Sequence, residues 1–260
     1  MPDIIFATSR QAYDSYSDLL RLINLSGFPL VYIDEIYPDS DNVYIFSTPQ
    51  TYWHDGTERH GWQGAKARII YWNIEWYEDQ AYRDIPGVEI WSADKWHADK
   101  IGARYVPMGS HQDLINEPLQ DCPKTWDVSL LAYLTNRRLE AVKWLTDGGV
   151  SIAPRGWGAE RHSILQQTRI MLNVHQHDYA FTVAPQRWAL AAAYRMPMIT
   201  ENVADAGIFT NSYMMQCERQ HMADFVRMWR DDHRLTDYGH ALHELLCNER
   251  TFRKCVEGAL

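Results

Sequence analysis

The side chains with the clearest chemical potential, His175, His177, Asp178 and Arg187, fall within one stretch, residues 169–209. A short apolar run, Ile170 to Val174, opens into a polar turn carrying His175, His177 and Asp178. A helix is expected to start at Pro185-Gln186-Arg187, and a second buried-type strand follows at Met198-Ile199-Thr200. Strand, polar loop, helix and strand make a βαβ unit, and ligands of open parallel sheets sit at the carboxyl ends of such strands. The first turn of a helix holds N–H groups without intrahelical acceptors, and Arg187 adds a guanidinium there. Together they suit an anion. A solvated helix arginine is the plain alternative.

Other residues could serve the same ligand. Arg137 and Arg138 begin an expected helix and could reach the same anion, although tandem surface arginines are common. His175 and His177 could contact a phosphate or hydroxyl groups, or form a metal pair with Asp178 as third ligand. Glu201 follows a strand and could bind hydroxyls or cap a helix. In the loop Pro154-Arg155-Gly156-Trp157-Gly158 the glycines permit close backbone approach, and Arg155 or Trp157 could stack on a nucleobase. A plain turn explains that loop equally well.

Two carboxylates in the first half end expected strands and are rival general bases. Glu75 or Asp34 could take a proton from a hydroxyl if burial raises its pKa. Between strands, YWHDGTERHGW (residues 52–62) forms a long aromatic and histidine loop. Its Trp53, His54, His60 and Trp62 could wall an acceptor site, since aromatic faces stack on rings.

The elements that must position these residues alternate along the chain. Short apolar runs at Asp3–Thr8, Pro29–Asp34, Val43–Ser47, Ala67–Trp72, Gly87–Trp91 and Arg104–Pro107 alternate with helical spacings at Tyr13–Leu25 and up to Ile101. That pattern predicts a parallel sheet covered on both faces. Residues 110–125 are polar with no periodicity and look like a linker. The alternation then restarts: strand Asp127–Tyr133, helix Arg137–Asp147, strand Gly149–Ala153, helix Glu160–Thr168, and the unit described above. From Gln220 the tail is helical, with Met222, Phe225, Val226 and Trp229 on one face. The expected organisation is α/β, an N-terminal Rossmann-like domain over 1–115 and a C-terminal one over 116–260, facing across a cleft, which is the usual ligand site.

Composition narrows the classes. Hydrophobic residues make up 46% of the 260, with 11 Trp and 15 Tyr, enough for sizeable cores. The net charge is −9, and the excess lies in residues 1–124, with 10 Lys+Arg against 19 Asp+Glu; the rest holds 15 of each. Duplex-binding proteins normally carry a basic field, so this balance argues mildly against nucleic acid. No apolar run reaches the roughly 18 residues that span a bilayer. The N-terminus runs directly into a strand without a basic leader, so a cytoplasmic location, bacterial or in a phage-infected host, is expected. Cys122, Cys217, Cys247 and Cys255 show no CxxC spacing and are expected to be reduced thiols. No G-x-G-x-x-G follows any strand, which sets a dehydrogenase far behind.

Pieces spread along the chain resemble GT-B glycosyltransferases, especially a short bacterial and phage-encoded, family-1-like group. They are Ile70-Tyr71-Trp72-Asn73-Ile74-Glu75; Val88-Glu89-Ile90-Trp91-Ser92 with Tyr105-Val106-Pro107-Met108-Gly109; Trp126-Asp127-Val128 with Asn136-Arg137-Arg138; Ile170 to His175; and Met198-Ile199-Thr200-Glu201. The resemblance covers most of residues 1–230 and is carried by the order of the pieces. It implies transfer of a sugar from a nucleotide-diphosphate-sugar, a UDP- or GDP-sugar as co-substrate, to a hydroxyl acceptor. No resident cofactor or metal ion is implied. The acceptor could be a saccharide, a protein, or a hydroxymethylated base of phage DNA held extruded by the aromatic loop. Arg187, Arg137, Arg138, His175 and His177 would then hold the donor diphosphate, and Arg155, Trp157 and Glu201 the donor nucleoside or sugar. The chain departs from the family at Ala132-Tyr133, where a glycine is usual, and at Ala184, where a sugar-binding carboxylate is usual. The second departure motivates the alternative of a non-catalytic nucleotide-sugar or phosphosugar binding protein.

Overall fold

The computed structural model describes residues 2–9, 17–47, 62, 64–74, 86–115, 117–156, 158–178, 184–210 and 212–260. The chain divides into two compact units, Met1–Met108 with Phe252–Leu260, and Gly109–Thr251. The expected boundary at 115/116 therefore lies a few residues past the observed one, and the C-terminal segment belongs to the first unit rather than the second.

The first unit is built on β1 (Ile4–Thr8), β2 (Leu30–Tyr32), β3 (Val43–Phe46), β4 (Arg68–Asn73), β5 (Val88–Ser92) and β6 (Arg104–Tyr105). Their order in the sheet is β2-β1-β3-β4-β5-β6, and every pairing is parallel. The apolar runs are continuous rather than alternating because β3 and β4 are buried on both faces, from Val43 to Phe46 and from Ile69 to Asn73. Helix α1 (Ser17–Leu25) lays Leu19, Leu20, Leu22 and Ile23 into this core. Helix α2 (Lys95–Ile101) opens on Asp94, whose carboxylate accepts from His97 N at 2.8 Å, and closes on Gly102 in the left-handed region, φ 66°.

The run expected as a strand to Asp34 breaks after Tyr32. There the Glu35 carboxylate accepts from Tyr32 N at 2.8 Å and closes a single 3₁₀ turn, Ile33–Glu35. Near the C-terminus, Phe252 packs its ring 5.6 Å from Phe6 and 5.4 Å from Trp72, which anchors the last helix of the chain (Phe252–Glu257) in the first unit.

The second unit carries β7 (Trp126–Ser129), β8 (Thr168–Asn173), β9 (Met198–Glu201) and β10 (Met215–Cys217), in the order β10-β9-β8-β7 and again all parallel. Its helices are α3 (Asn136–Asp147), α4 (Gly158–Gln166), α5 (Pro185–Ala193), α6 (Met222–Trp229) and α7 (Arg234–His243). Val128, Leu172, Val174 and Ile199 form its core with Ala141, Leu145 and Val226 from the helices. Helix α5 is buried along most of its length, which its alanines permit by taking little room. Helix α7 meets the turn after α5 so closely that a Cβ on Gly239 would lie 2.1 Å from the Arg195 carbonyl oxygen, leaving glycine as the side chain that fits.

Two expectations are corrected in this unit. Residues 149–153 form one isolated bridge, Ile152 to Val128, instead of a strand. Asp127 and Ser151 bond each other's backbone N–H through their side chains, at 2.8 and 2.9 Å, beside backbone bonds from Asp127 N and Val128 N to the Ser151 carbonyl at 3.1 Å. β7 stops at Ser129 rather than reaching Tyr133, while β10 had no sequence signal strong enough to predict it. Among the described residues no helix is long and apolar enough to cross a membrane, and the four cysteines are free thiols.

Candidate functional site

Because all strands of the second sheet are parallel, their carboxyl ends share one edge. The register sets Asn173 beside Thr200, so β8 and β9 deliver Asn173, His175, Thr200 and Glu201 to neighbouring positions. Helix α3 starts next to them. Its N-cap Thr135 accepts from Arg138 N at 3.4 Å, which orients the first turn bearing Arg137 and Arg138.

Arg137 is the hub. Its Nη1 and Nη2 donate to the two carboxylate oxygens of Glu201 at 2.5 and 2.6 Å, its Nε donates to Asp178 at 2.5 Å, and Nη1 also reaches the His175 carbonyl at 3.1 Å. Glu201 accepts a further bond from His175 N at 2.5 Å. The Glu201 side chain is 5% exposed and Arg137's 16%, so this forked, charge-assisted pair is what makes a buried carboxylate tolerable. Burial works against the charge on Arg137, but the bonds from Glu201 and Asp178 outweigh it and hold the guanidinium above its ordinary range. Asp178, on the exposed side, is held below the usual carboxylate range by the same arginine.

Arg138 is buried and turned to backbone, donating to the Val174 and Tyr133 carbonyls at 3.0 Å each. Burial, with the neighbouring Arg137 charge, lowers its pKa against the pull of Glu201. These bonds tie two strand-end loops together. Arg187 is half-buried in the first turn of α5, where it donates from Nε to the Leu131 carbonyl at 3.0 Å and from Nη1 to Asn173 Oδ1. Pro185 opens that helix, and the N-cap Ala184 makes no side-chain bond to its first turn.

His175 is 5% exposed, and burial pushes its pKa down to about 4, helped by the charges of Arg137, Arg187 and Arg138 and opposed by Glu201. Near neutral pH it is an uncharged imidazole. It can exchange hydrogen bonds with a ligand but adds no positive charge. His177 is half-buried on the following turn.

Asn173 and Thr200 were not assigned a role from sequence. Asn173 Nδ2 donates to Thr200 Oγ1 at 2.8 Å, and the same asparagine holds Arg187. The available signal was a polar residue closing each of two apolar strands, MLN and MIT. The arrangement therefore brings Arg137, Arg138, Arg187, His175, Asp178 and Glu201 into one polar cluster. Chemically its guanidiniums can counter the charge of an anion at the strand ends.

The remaining candidates lie elsewhere. Arg155 is exposed, and Gly156 beside it packs on α4, where a Cβ would meet the Ile164 side chain at 2.6 Å, so its close approach is to the protein itself. Asp34 is exposed within the 3₁₀ turn after the edge strand β2, not at a strand terminus. Trp62 lies half-buried against the first core, its backbone N–H donating to the Pro86 carbonyl at 2.7 Å. Glu75, Trp53, His54, His60 and Trp157 lie outside the described residues. The carboxyl edge of the first sheet instead shows a buried set that sequence reading missed. His97 Nδ1 stands 3.2 Å from Ser92 Oγ and 3.4 Å from Asn73 Nδ2. Among the described residues no group of three His, Cys, Asp or Glu side chains could hold a metal ion.

No family model and no curated relative matches the chain. Among solved structures it is similar to TarM, with 9% identity and a TM-score of 0.54 over 93% of this chain and 57% of that one. It also aligns with the glycotransferase of kitacinnamycin at 9% identity and a TM-score of 0.48, covering 100% of this chain and 98% of that one. The likeness to TarM is one of fold, and the chain spans 57% of that protein's length. Two parallel α/β units, each with its strand ends along one edge, define a two-domain Rossmann-like fold of the GT-B type.

Proposed function

We propose that the protein is a glycosyltransferase that moves a sugar from a nucleotide-diphosphate-sugar to a hydroxyl acceptor, without a resident metal ion. The observation that carries this reading is the arginine cluster at the carboxyl edge of the second sheet, with Arg187 in the first turn of α5. As the bond from sugar to diphosphate breaks, negative charge grows on the leaving phosphate. A guanidinium and a helix N-terminus already in place stabilise that charge without reorganising. Neutral His175 would donate or accept at the donor's oxygens. The GT-B-type fold supports the same reading, and a UDP- or GDP-sugar is the expected donor.

The base that takes the acceptor proton is assigned to Glu75, which follows β4 in the sequence; Asp34, exposed on a turn, is the weaker candidate. Saccharide, protein and hydroxymethylated DNA base remain the acceptor classes, and the cytoplasm the place of action. Ala184 keeps a second reading in view, a nucleotide-sugar or phosphosugar binding protein that does not transfer, because it leaves the start of α5 without a carboxylate for the sugar.

The test is a thermal-shift panel of UDP-, GDP-, ADP- and dTDP-sugars. One donor should raise Tm clearly, and Arg187→Ala should remove that rise while the protein stays folded. No stabilisation by any of them would overturn the donor site. Stabilisation with no release of nucleoside diphosphate across an acceptor panel would favour the binding protein.

A further inference from the structure

The loop between β7 and α3 carries a feature that the anion site does not use. Seven large hydrophobic residues are exposed among the described ones, and three of them, Tyr133, Leu134 and Leu139, lie within this loop and the first turns of α3. Tyr133 is the most exposed of the seven, at 81%. Aromatic rings usually hide most of their surface, and apolar surface gathered in one place commonly marks a binding site.

The backbone beneath that ring is pinned. Arg187 holds the Leu131 carbonyl at 3.0 Å, and Arg138 holds the carbonyl of Tyr133 itself at 3.0 Å. Thr135 N also donates to the Tyr133 carbonyl, at 3.2 Å, and Thr135 Oγ1 reaches the Gln176 carbonyl on the neighbouring loop at 3.4 Å. Tyr133 is two residues beyond the carbonyl that Arg187 grips, which is at most about 7 Å of chain. That separation is of the same order as the one between the base and the phosphates of a single nucleotide. The loop thus carries an exposed aromatic residue a short length of chain from the arginine cluster, and a nucleoside diphosphate has the matching pair of features, a ring and an anion.

We infer that Tyr133 is the stacking platform for the nucleobase of the ligand whose diphosphate the arginine cluster holds, with Leu134 extending its apolar surface. The inference rests on the anion-binding reading of that cluster and adds to it the residue that recognises the ring. Stacking tolerates different bases, because every base has a π-face. The platform therefore supplies affinity for nucleotides as a class over simple phosphates, more than a choice among bases.

Calorimetric titration with UDP, GDP, ADP and inorganic pyrophosphate tests it. Tyr133→Ala should weaken the nucleoside diphosphate that binds wild type best by about 5- to 100-fold, the range for losing one stacked aromatic. Pyrophosphate affinity should be unchanged, and Tyr133→Phe and Tyr133→Trp should bind nucleotide like wild type. Equal nucleotide binding by Tyr133→Ala and wild type would overturn the inference and leave the anion site standing. So would an equal loss for nucleotide and pyrophosphate, which would mean damage to the pocket and not loss of a stack. Absence of binding by the wild-type protein to all four probes would instead remove the anion site, and the platform with it.

Discussion

The two units share a sheet architecture but furnish the carboxyl edges of their sheets in opposite ways. In the first, the buried polar residues at described strand ends are Thr8, Ser9, Ser47, Asn73 and Ser92, all uncharged, with Asp94 capping α2 and His97 beside them. In the second, the strand ends lead into His175 and Glu201, and helices α3 and α5 add Arg137, Arg138 and Arg187. The first unit's forked pair, Arg68 with Glu89, begins at the opposite end of β4 and is about one-third exposed, where an ion pair contributes little. The difference teaches that a parallel sheet edge is a blank fitting. Neutral donors and acceptors suit hydroxyl groups, and buried guanidiniums suit phosphates. In the second unit those guanidiniums persist because a carboxylate and several carbonyls compensate them.

That contrast can be broken most directly at Glu201. Glu201→Gln leaves the Arg137 guanidinium without its buried partner and should cost about 3 kcal/mol of stability, read as a lower urea midpoint. A cost no larger than that of a surface substitution would mean the cluster is solvated and the two edges are energetically alike. Next in size is the response to acid. The unfolded imidazole of residue 175 binds a proton near pH 6.5, while the folded one does so only near 4. Across that window the unfolded state holds more protons, so stability falls as pH drops from 6.5 towards 4 and levels off below. The loss should be about 3 kcal/mol, and His175→Gln should flatten it. Identical pH slopes in variant and wild type would place His175 in a wetter site. The smallest effect is expected in the first unit. Asp94→Ala removes the N-cap of α2 and should cost about 1 kcal/mol by chemical denaturation. If it exceeds the Glu201→Gln cost, the contrast is reversed.

Much of the architecture was legible because strands buried on both faces declare themselves as unbroken apolar runs. β1, β3, β4, β8 and β9 lie within a residue or two of their expected bounds. The misplaced parts are those where side chains bond the backbone of a strand or its end: Asp127 with Ser151, and Glu35 at Tyr32 N. β10, at three residues, is too short to show a period. In the site, Arg137, Arg187, His175 and Glu201 could be named, since charged residues just past apolar runs stand out. Their pairing with one another could not be read. Arg137 and Glu201 are 64 positions apart, and nothing in either segment says that one compensates the other. Arg138 looked like Arg137's twin, yet only the packed helix shows one turned inward to carbonyls and the other to a carboxylate.

The sequence by itself determined that this is a two-part parallel α/β protein, with its charged chemistry after β8 and at the starts of two helices. Periodicity, caps and breakers are local, and they survive without knowledge of the fold. Tertiary structure alone decided that Glu201 is locked to Arg137, that His175 is neutral, that Tyr133 stands exposed on a pinned loop, and that the last helix packs with the first unit. Each depends on which distant groups share a dry environment. Burial and pairing set charge state and hydrogen-bonding capacity, and no run of neighbouring residues encodes either.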